Sequence, residues 1–346
     1  MKVGLLVNRS GPAGLWAPSS DAGAMLAAAE INLAGGVHGR TVEIVLADAG
    51  QDEREASAAS RALMDIEDID VVVGMHPSNV RAAIHKALRG RVPYIYTPQY
   101  EGGEQSPYMV TTGGTDEEVL VPAISWLSET RAARRFYLVG NDYIWPRRAH
   151  QIAGGIVRSR GGLVVGRSIT PFGMRDYSPV LDVIRLSRPD VVVIALVGLE
   201  AARFNRAFAE AGLAAHMLRL GLATDESVLY AIGAEYTENL YVSLNYFAHM
   251  HSAANDRFLE TYHSSFGDLA PPVNLSCQSC YEGVYLAANL ARSLERSDGR
   301  ALAHGVRRPI GRKAARSMLM KTPMGPQLHV HLAAADGIVF HTVASC

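Results

Sequence analysis

Cys277-Gln-Ser-Cys280 has the Cys-x-x-Cys spacing of redox and metal centres. Such a pair does redox chemistry just after a strand, at the helix start of a thioredoxin-like unit. Here it opens an apolar helix near the end of the chain. A closed zinc site needs four ligands, and no second cysteine pair is present. The expectation is two thiols on a first helical turn, without metal. His329 and His331 alternate along one face of an expected strand rather than at metal-binding helical spacing. The dinucleotide fingerprint Gly-x-Gly-x-x-Gly, the phosphate loop and the nucleophile elbow Gly-x-Ser-x-Gly are all absent. No catalytic set is visible, so neither an enzyme nor a cofactor is expected.

Chemistry is instead offered by polar side chains that follow apolar runs. Ser10 lies in Asn8-Arg9-Ser10-Gly11 after the first run, and His76 and Ser78 in Gly74-Met75-His76-Pro77-Ser78-Asn79 after the third. Tyr96 and Gln99 end the fourth. Further on, Tyr143 lies in Gly140-Asn141-Asp142-Tyr143-Ile144-Trp145-Pro146, Val197 precedes Gly198, and Glu226 closes Ala223-Thr224-Asp225-Glu226. Ligands of open α/β sheets sit beyond the carboxyl ends of the strands. Hydroxyls, amides and aromatics there suit a small polar molecule. Each position also has a plainer reading. Ser78 is a good helix N-cap, Tyr96 and Tyr143 could be packing aromatics, His76 reads as an exposed turn residue, and Glu226 could cap the next helix. Trp16 and Trp145 could rim or merely cover a groove.

The elements that would position these residues alternate in type. Val3–Val7, Thr41–Ala47, Val71–Val73 and Val92–Tyr96 read as strands, separated by helices over Asp21–Leu33, Glu53–Ile66 and Ser78–Leu88. Apolar strands spaced by helices of about 10–15 residues indicate a parallel sheet covered on both faces. The pattern restarts with a helix over Asp116–Ser128. Strands over Phe136–Val139, Leu163–Ile169, Val191–Leu196, Met217–Leu220 and Leu240–Leu244 follow, with helices over Arg147–Arg160, Tyr177–Leu186 and Leu199–Ala211 between them. Helices over Ala254–Phe266 and Cys277–Glu295 have no strand between them. A hairpin, Leu328–Leu332 with Ile338–Val343, turns at Ala335-Asp336-Gly337. The expected architecture is α/β: two doubly wound parallel-sheet lobes joined by a three-crossover hinge. Residues 1–117 and 247–320 form one lobe, and 120–244 and 327–346 the other.

Composition agrees with a globular chain of two domains: 346 residues, 48% hydrophobic and 19% charged. The 33 basic and 34 acidic residues nearly cancel, and no basic stripe points to nucleic acid. No run reaches the ~20 apolar residues of a membrane span. Residues 1–7 run directly into the first strand, which reads as a cytoplasmic protein; a leader upstream would make it periplasmic.

Three stretches carry a family resemblance: Glu30 to Gly39, Tyr96 to Glu104 with its Tyr-Glu-Gly, and Gly140 to Arg147 with Asp-Tyr-x-x-Pro-Arg. The chain resembles type I periplasmic binding proteins of the branched-chain amino acid type. Within that group it is similar to the amide-sensing regulators of aliphatic amidase operons and to the urea and short-amide binding proteins of ABC importers. The resemblance implies that Ser78 hydrogen-bonds a ligand from the first lobe, Tyr96 lines the pocket and Tyr143 closes over the ligand from the second. It places Glu226 where amino-acid-binding relatives hold an ammonium. Departures are Pro98, where amide sensors carry a hydroxyl, His76, where an aromatic precedes the serine, and the basic segment Arg307–Pro326.

The function expected first is a cytoplasmic sensor that holds an amide, urea or related metabolite in an interlobe cleft and signals by closure to a regulatory protein partner. The alternative is the substrate-binding component of an ABC importer, with a permease as its partner. A homodimer is left open.

Overall fold

The computed structural model describes residues 1–104, 106, 108–293, 318–320 and 326–346, with only the backbone of 318–320 and 326–327. Most of Arg307–Pro326, and residues 294–295 of the helix expected to end at Glu295, lie outside the described residues.

The described residues fall into two compact units, Met1–Gly114 with Met250–Leu328 and Thr115–His249 with His329–Cys346. The chain therefore passes between units three times.

The first unit is built from β1 (Lys2–Val7), α1 (Ala17–Leu33), β2 (Glu43–Asp48), α2 (Glu53–Asp65), β3 (Val71–Met75), α3 (Ser78–Leu88), β4 (Tyr94–Tyr96) and β5 (Met109–Thr111). Its strands pair in the order β2-β1-β3-β4-β5, all parallel. β1 and β3 are apolar and almost entirely buried, as central strands covered on both faces must be. β5 has three residues and no preceding apolar run, too little pattern for the sequence to display.

The second unit begins with α4 (Asp116–Thr130), started by a capping box in which Thr115 and Glu118 bond each other's backbone N–H. It continues through β6 (Arg135–Asn141), α5 (Ile144–Ser159), β7 (Leu163–Thr170), α6 (Ser178–Ser187), β8 (Val191–Ala195), α7 (Leu199–Glu210), β9 (Leu218–Gly221), α8 (Glu226–Ile232) and β10 (Leu240–Leu244). The first unit is completed by α9 (Ala253–Phe266), α10 (Leu275–Arg292), β11 (Met318–Met320) and β12 (Pro326–Leu328), the second by β13 (His331–Asp336) and β14 (Val339–Ser345). The second sheet runs β14-β13-β10-β9-β8-β6-β7, with β13 and β14 antiparallel to their neighbours and the rest parallel.

The closing hairpin differs from its expected register. Asp336 pairs with Val339, so the turn is Gly337-Ile338 rather than Ala335-Asp336-Gly337. Gly337 takes φ +57°, a conformation a β-branched residue resists. His329 precedes β13 and does not share a strand face with His331.

The strandless helices have a clear place in the first unit. α10 packs along α1 and over β3 and β4. Gly23 permits the close approach: a Cβ there would stand 2.1 Å from the Cys277 carbonyl oxygen. Along the same seam, Tyr281 and Tyr285 donate to Glu30, and Arg292 donates to the Gly36 carbonyl at 2.8 Å. Asn274 caps α10, so Cys277 is its third residue and Cys280 its sixth; only Cys277 lies in the first turn. Both thiols are buried outside any disulfide, and burial pushes the Cys280 thiol up to about 12. Among the described residues no three His, Cys, Asp or Glu side chains gather to hold a metal.

Candidate functional site

At the ends of β3 and β4 the first unit brings together three of the residues singled out in the sequence. Ser78 opens α3, but Pro77 occupies the N-cap position with extended backbone and no side chain caps the helix. The N-cap expectation for Ser78 is therefore corrected. Its hydroxyl donates to Glu101 Oε2 at 2.7 Å, a hydrogen bond that the charge of the carboxylate strengthens. Glu101 Oε1 accepts from Arg81 Nη2 at 2.8 Å, and the Arg81 guanidinium lies over the rings of Tyr96 and Tyr100 at 5.0 and 5.2 Å.

His76 is also corrected: it is buried, with 3% exposure, rather than an exposed turn residue. Its ring stacks on Tyr94 and tilts against Tyr96. Nδ1 lies 3.1 Å from the Pro77 carbonyl, which can only accept, so Nδ1 carries the proton. Nε2 then accepts from the Tyr94 hydroxyl at 2.6 Å. Burial lowers the His76 pKa to about 4. Tyr96 is fully buried beneath α2 and α3, and its hydroxyl donates to the His76 carbonyl at 2.9 Å. The packing reading of Tyr96 describes this arrangement, which leaves the ring no exposed surface. Ser10 lies apart, exposed, accepting from Gln51 Nε2 at 3.2 Å. Gln99 is half-buried in the loop after β4.

The second unit joins its strand ends through one buried acid that the sequence gave no reason to choose. Glu200, in the first turn of α7, accepts from Asn141 at the end of β6 and from the Gly173 N–H after β7. Asn141 Oδ1 in turn accepts from the Val197 N–H at 2.9 Å. Val197 is 2% exposed, so its place here is as backbone. Tyr143 is the N-cap residue of α5, half-buried, with its ring 5.3 Å from Phe172 and 6.1 Å from Trp145. Trp145 is buried and its Nε1 donates to Asp116 Oδ1 at 2.9 Å. Trp16 is half-buried at the end of a short 3₁₀ turn.

Glu226 is not the cap of α8. Asp225 is, accepting from the Val228 N–H, and Glu226 is the first helical residue. Its Oε1 accepts from the Ala248 N–H at 2.7 Å, while Oε2 is buried with no hydrogen-bond partner among the described residues. Burial, then the neighbouring Asp225 carboxylate, raises its pKa to about 8. Thr224 Oγ1, two residues earlier, is likewise buried without a partner there. Glu101 and Arg81 were missed as well. Glu101 lay inside the Tyr-Glu-Gly motif, which marked the segment but gave the side chain no role.

The periplasmic binding protein family model matches residues 1–344. The Leu/Ile/Val-binding protein BraC3 of Rhizobium johnstonii is 27% identical over 247 residues, which is 68% of this chain and 62% of that protein. An amino acid binding protein of Pseudomonas aeruginosa is 24% identical over 230 residues, 64% of this chain and 60% of its own length. The chain thus spans about three fifths of the curated relatives it matches. Among solved structures, the branched-chain amino acid transporter substrate-binding protein LivJ of Streptococcus pneumoniae, in complex with isoleucine, superposes with TM-score 0.87 at 20% identity, covering 100% of this chain and 98% of that one. An ABC transporter solute-binding protein of Rhodopseudomonas palustris HaA2, in complex with p-hydroxybenzoic acid, gives TM-score 0.88 at 22% identity, covering 100% and 96%. No helix among the described residues is long and apolar enough to cross a membrane. With two parallel-sheet units and a family match across nearly its whole length, the chain belongs to the periplasmic binding proteins, a family of solute binders.

Proposed function

We propose that this chain is the substrate-binding component of an ABC importer, working outside the cytoplasm with a permease, and that it captures a small polar ligand bearing an N–H donor such as an ammonium, amide or urea nitrogen. The observation that carries this reading is Glu226. A buried carboxyl oxygen without a partner, on a group whose pKa stands at about 8, is costly in the unliganded protein. A ligand N–H placed on Oε2 would supply the missing bond and favour the ionised form. Ser78 and Tyr143 serve as further contacts, Tyr143 through a ring that is only half-buried. His76 and Tyr96 hold the strand end beside Ser78, Val197 bonds Asn141 before Tyr143, and Ser10 and Gln99 are proposed as outer contacts. The descriptions of the relatives support the importer reading over that of a cytoplasmic sensor.

Native mass spectrometry of freshly purified protein tests the proposal. The parent should carry a small-molecule adduct, while Tyr143→Ala and Glu226→Gln should lose it with ligand-free melting points close to the parent's. An adduct retained at full occupancy in both variants would sink the assignment of these contacts.

A further inference from the structure

The Ser78 hydroxyl has one proton, and its neighbours decide where that proton points. Glu101 Oε2 lies 2.7 Å away, and the same carboxylate takes Arg81 Nη2 on its other oxygen at 2.8 Å. An ionised carboxylate only accepts, so Ser78 is the donor. The Tyr96 hydroxyl is 3.4 Å from Ser78 Oγ, but its own proton goes to the His76 carbonyl at 2.9 Å. Ser78 Oγ is left with lone pairs and no proton to offer.

We propose that Glu101 is a specificity-determining residue that turns Ser78 into a hydrogen-bond acceptor, so that the ligand group seated on Ser78 is an N–H donor and a carboxylate is rejected there. This rests on the reading that Ser78 touches the ligand. A carboxylate oxygen opposite Ser78 would meet lone pairs, with the Glu101 anion directly behind them. For Ser78 to donate to the ligand it would have to release Glu101, whose side chain is only 7% exposed and would lose that partner out of reach of most solvent. Arg81 is largely committed: Nη2 is held by Glu101, Nε stands 3.9 Å from Glu104 Oε2 and the guanidinium lies over two tyrosine rings. Its Nη1 is buried with no hydrogen-bond partner among the described residues, so the rejection holds at Ser78 Oγ alone. Glu101 acts through Ser78 and is a positioning residue.

Neutron diffraction from the unaltered, deuterated protein reads the proton directly and does not depend on a variant folding. The expected density is a deuteron on Ser78 Oγ pointing at Glu101 Oε2 and none on Glu101. A deuteron on Glu101, or a Ser78 deuteron pointing elsewhere, overturns the proposal. The selectivity is read by following the Ser78 amide resonance during titration with acetamide, methylammonium and acetate, which also separates neutral from cationic donors. The parent should prefer one of the two N–H donors over acetate by about tenfold or more, the scale of one mismatched hydrogen bond. Glu101→Gln, whose amide can donate to Ser78 and free its proton, should narrow that ratio severalfold. Acetate taken at Ser78 as readily as both donors overturns the inference. A Ser78 resonance that no probe moves counts against the reading that Ser78 touches the ligand, while the neutron density still decides the proton.

Discussion

The two units solve the same problem at their strand ends in opposite ways. In the first, His76, Ser78, Tyr94, Tyr96, Arg81 and Glu101 bond chiefly to one another and to local backbone, so the hydroxyl and imidazole protons are already committed. In the second, Glu200 ties three strand ends together, but Glu226 is left with one buried oxygen unanswered. Arg81 Nη1 in the first network is buried without a partner among the described residues, but the network's hydroxyls and carboxylate are paired, and a network so filled selects by its pattern of donors and acceptors. An incomplete one stores a desolvation cost that a ligand can relieve. By this comparison a ligand group at Ser78 would be selected by its donor pattern, and one at Glu226 Oε2 would be held for the bond it supplies.

The largest expected effect breaks the packing of the first unit, and its counterpart in the second leaves the packing intact. Gly23→Ala drives a methyl into the Cys277 carbonyl at the α1–α10 seam of the first unit, and should cost about 3 kcal/mol in urea denaturation. In the second unit, Gly155 within α5 has nothing within 4 Å of where a Cβ would stand. Gly155→Ala should stabilise by up to about 1 kcal/mol.

Acid sharpens the comparison. His76 in the first unit and His150 in the second are both buried, with burial lowering each pKa to about 4. The unfolded chain therefore binds their protons first as pH falls below about 6.5. The stability from burying each ring uncharged is full above that pH and is lost on the way down to 4, by about 3 kcal/mol per group over the window. Glu226 works in the other direction. Its folded pKa is raised, so its contribution is present below the unfolded carboxyl range and is lost as pH rises through about 8. Denaturation at pH 4.5, 6.5 and 8.5 should show His76→Gln flattening the acid limb and Glu226→Gln flattening the alkaline one. Unchanged limbs would mean that these groups titrate as they do in water.

How much of this was legible in the sequence follows from the range of the interactions. The strand–helix alternation was readable because β1, β3 and β8 are buried on both faces over nearly their whole length and so must be apolar there. The bounds of α3 were readable too, since Pro77 fixes its start. The partners of its first residue were not. Ser78 bonds Glu101, twenty-three positions away, and His76 turns onto Tyr94, eighteen away. Both depend on which strand lies beside β3, and no local pattern encodes that. Glu226 was read by family resemblance, but the burial that does most to raise its pKa, ahead of the adjacent Asp225, is set by the folded chain.

The most direct test of the account places Glu226 against a ligand. Leucine, leucinamide, acetamide and urea are added at saturation to the parent and to Glu226→Gln at pH 7, and stability is measured with each. A ligand at a hundred times its dissociation constant adds about 2.7 kcal/mol, and the account predicts that gain for at least one of the four in the parent and its loss in the variant. Equal stabilisation of both proteins, or none in the parent, would contradict it.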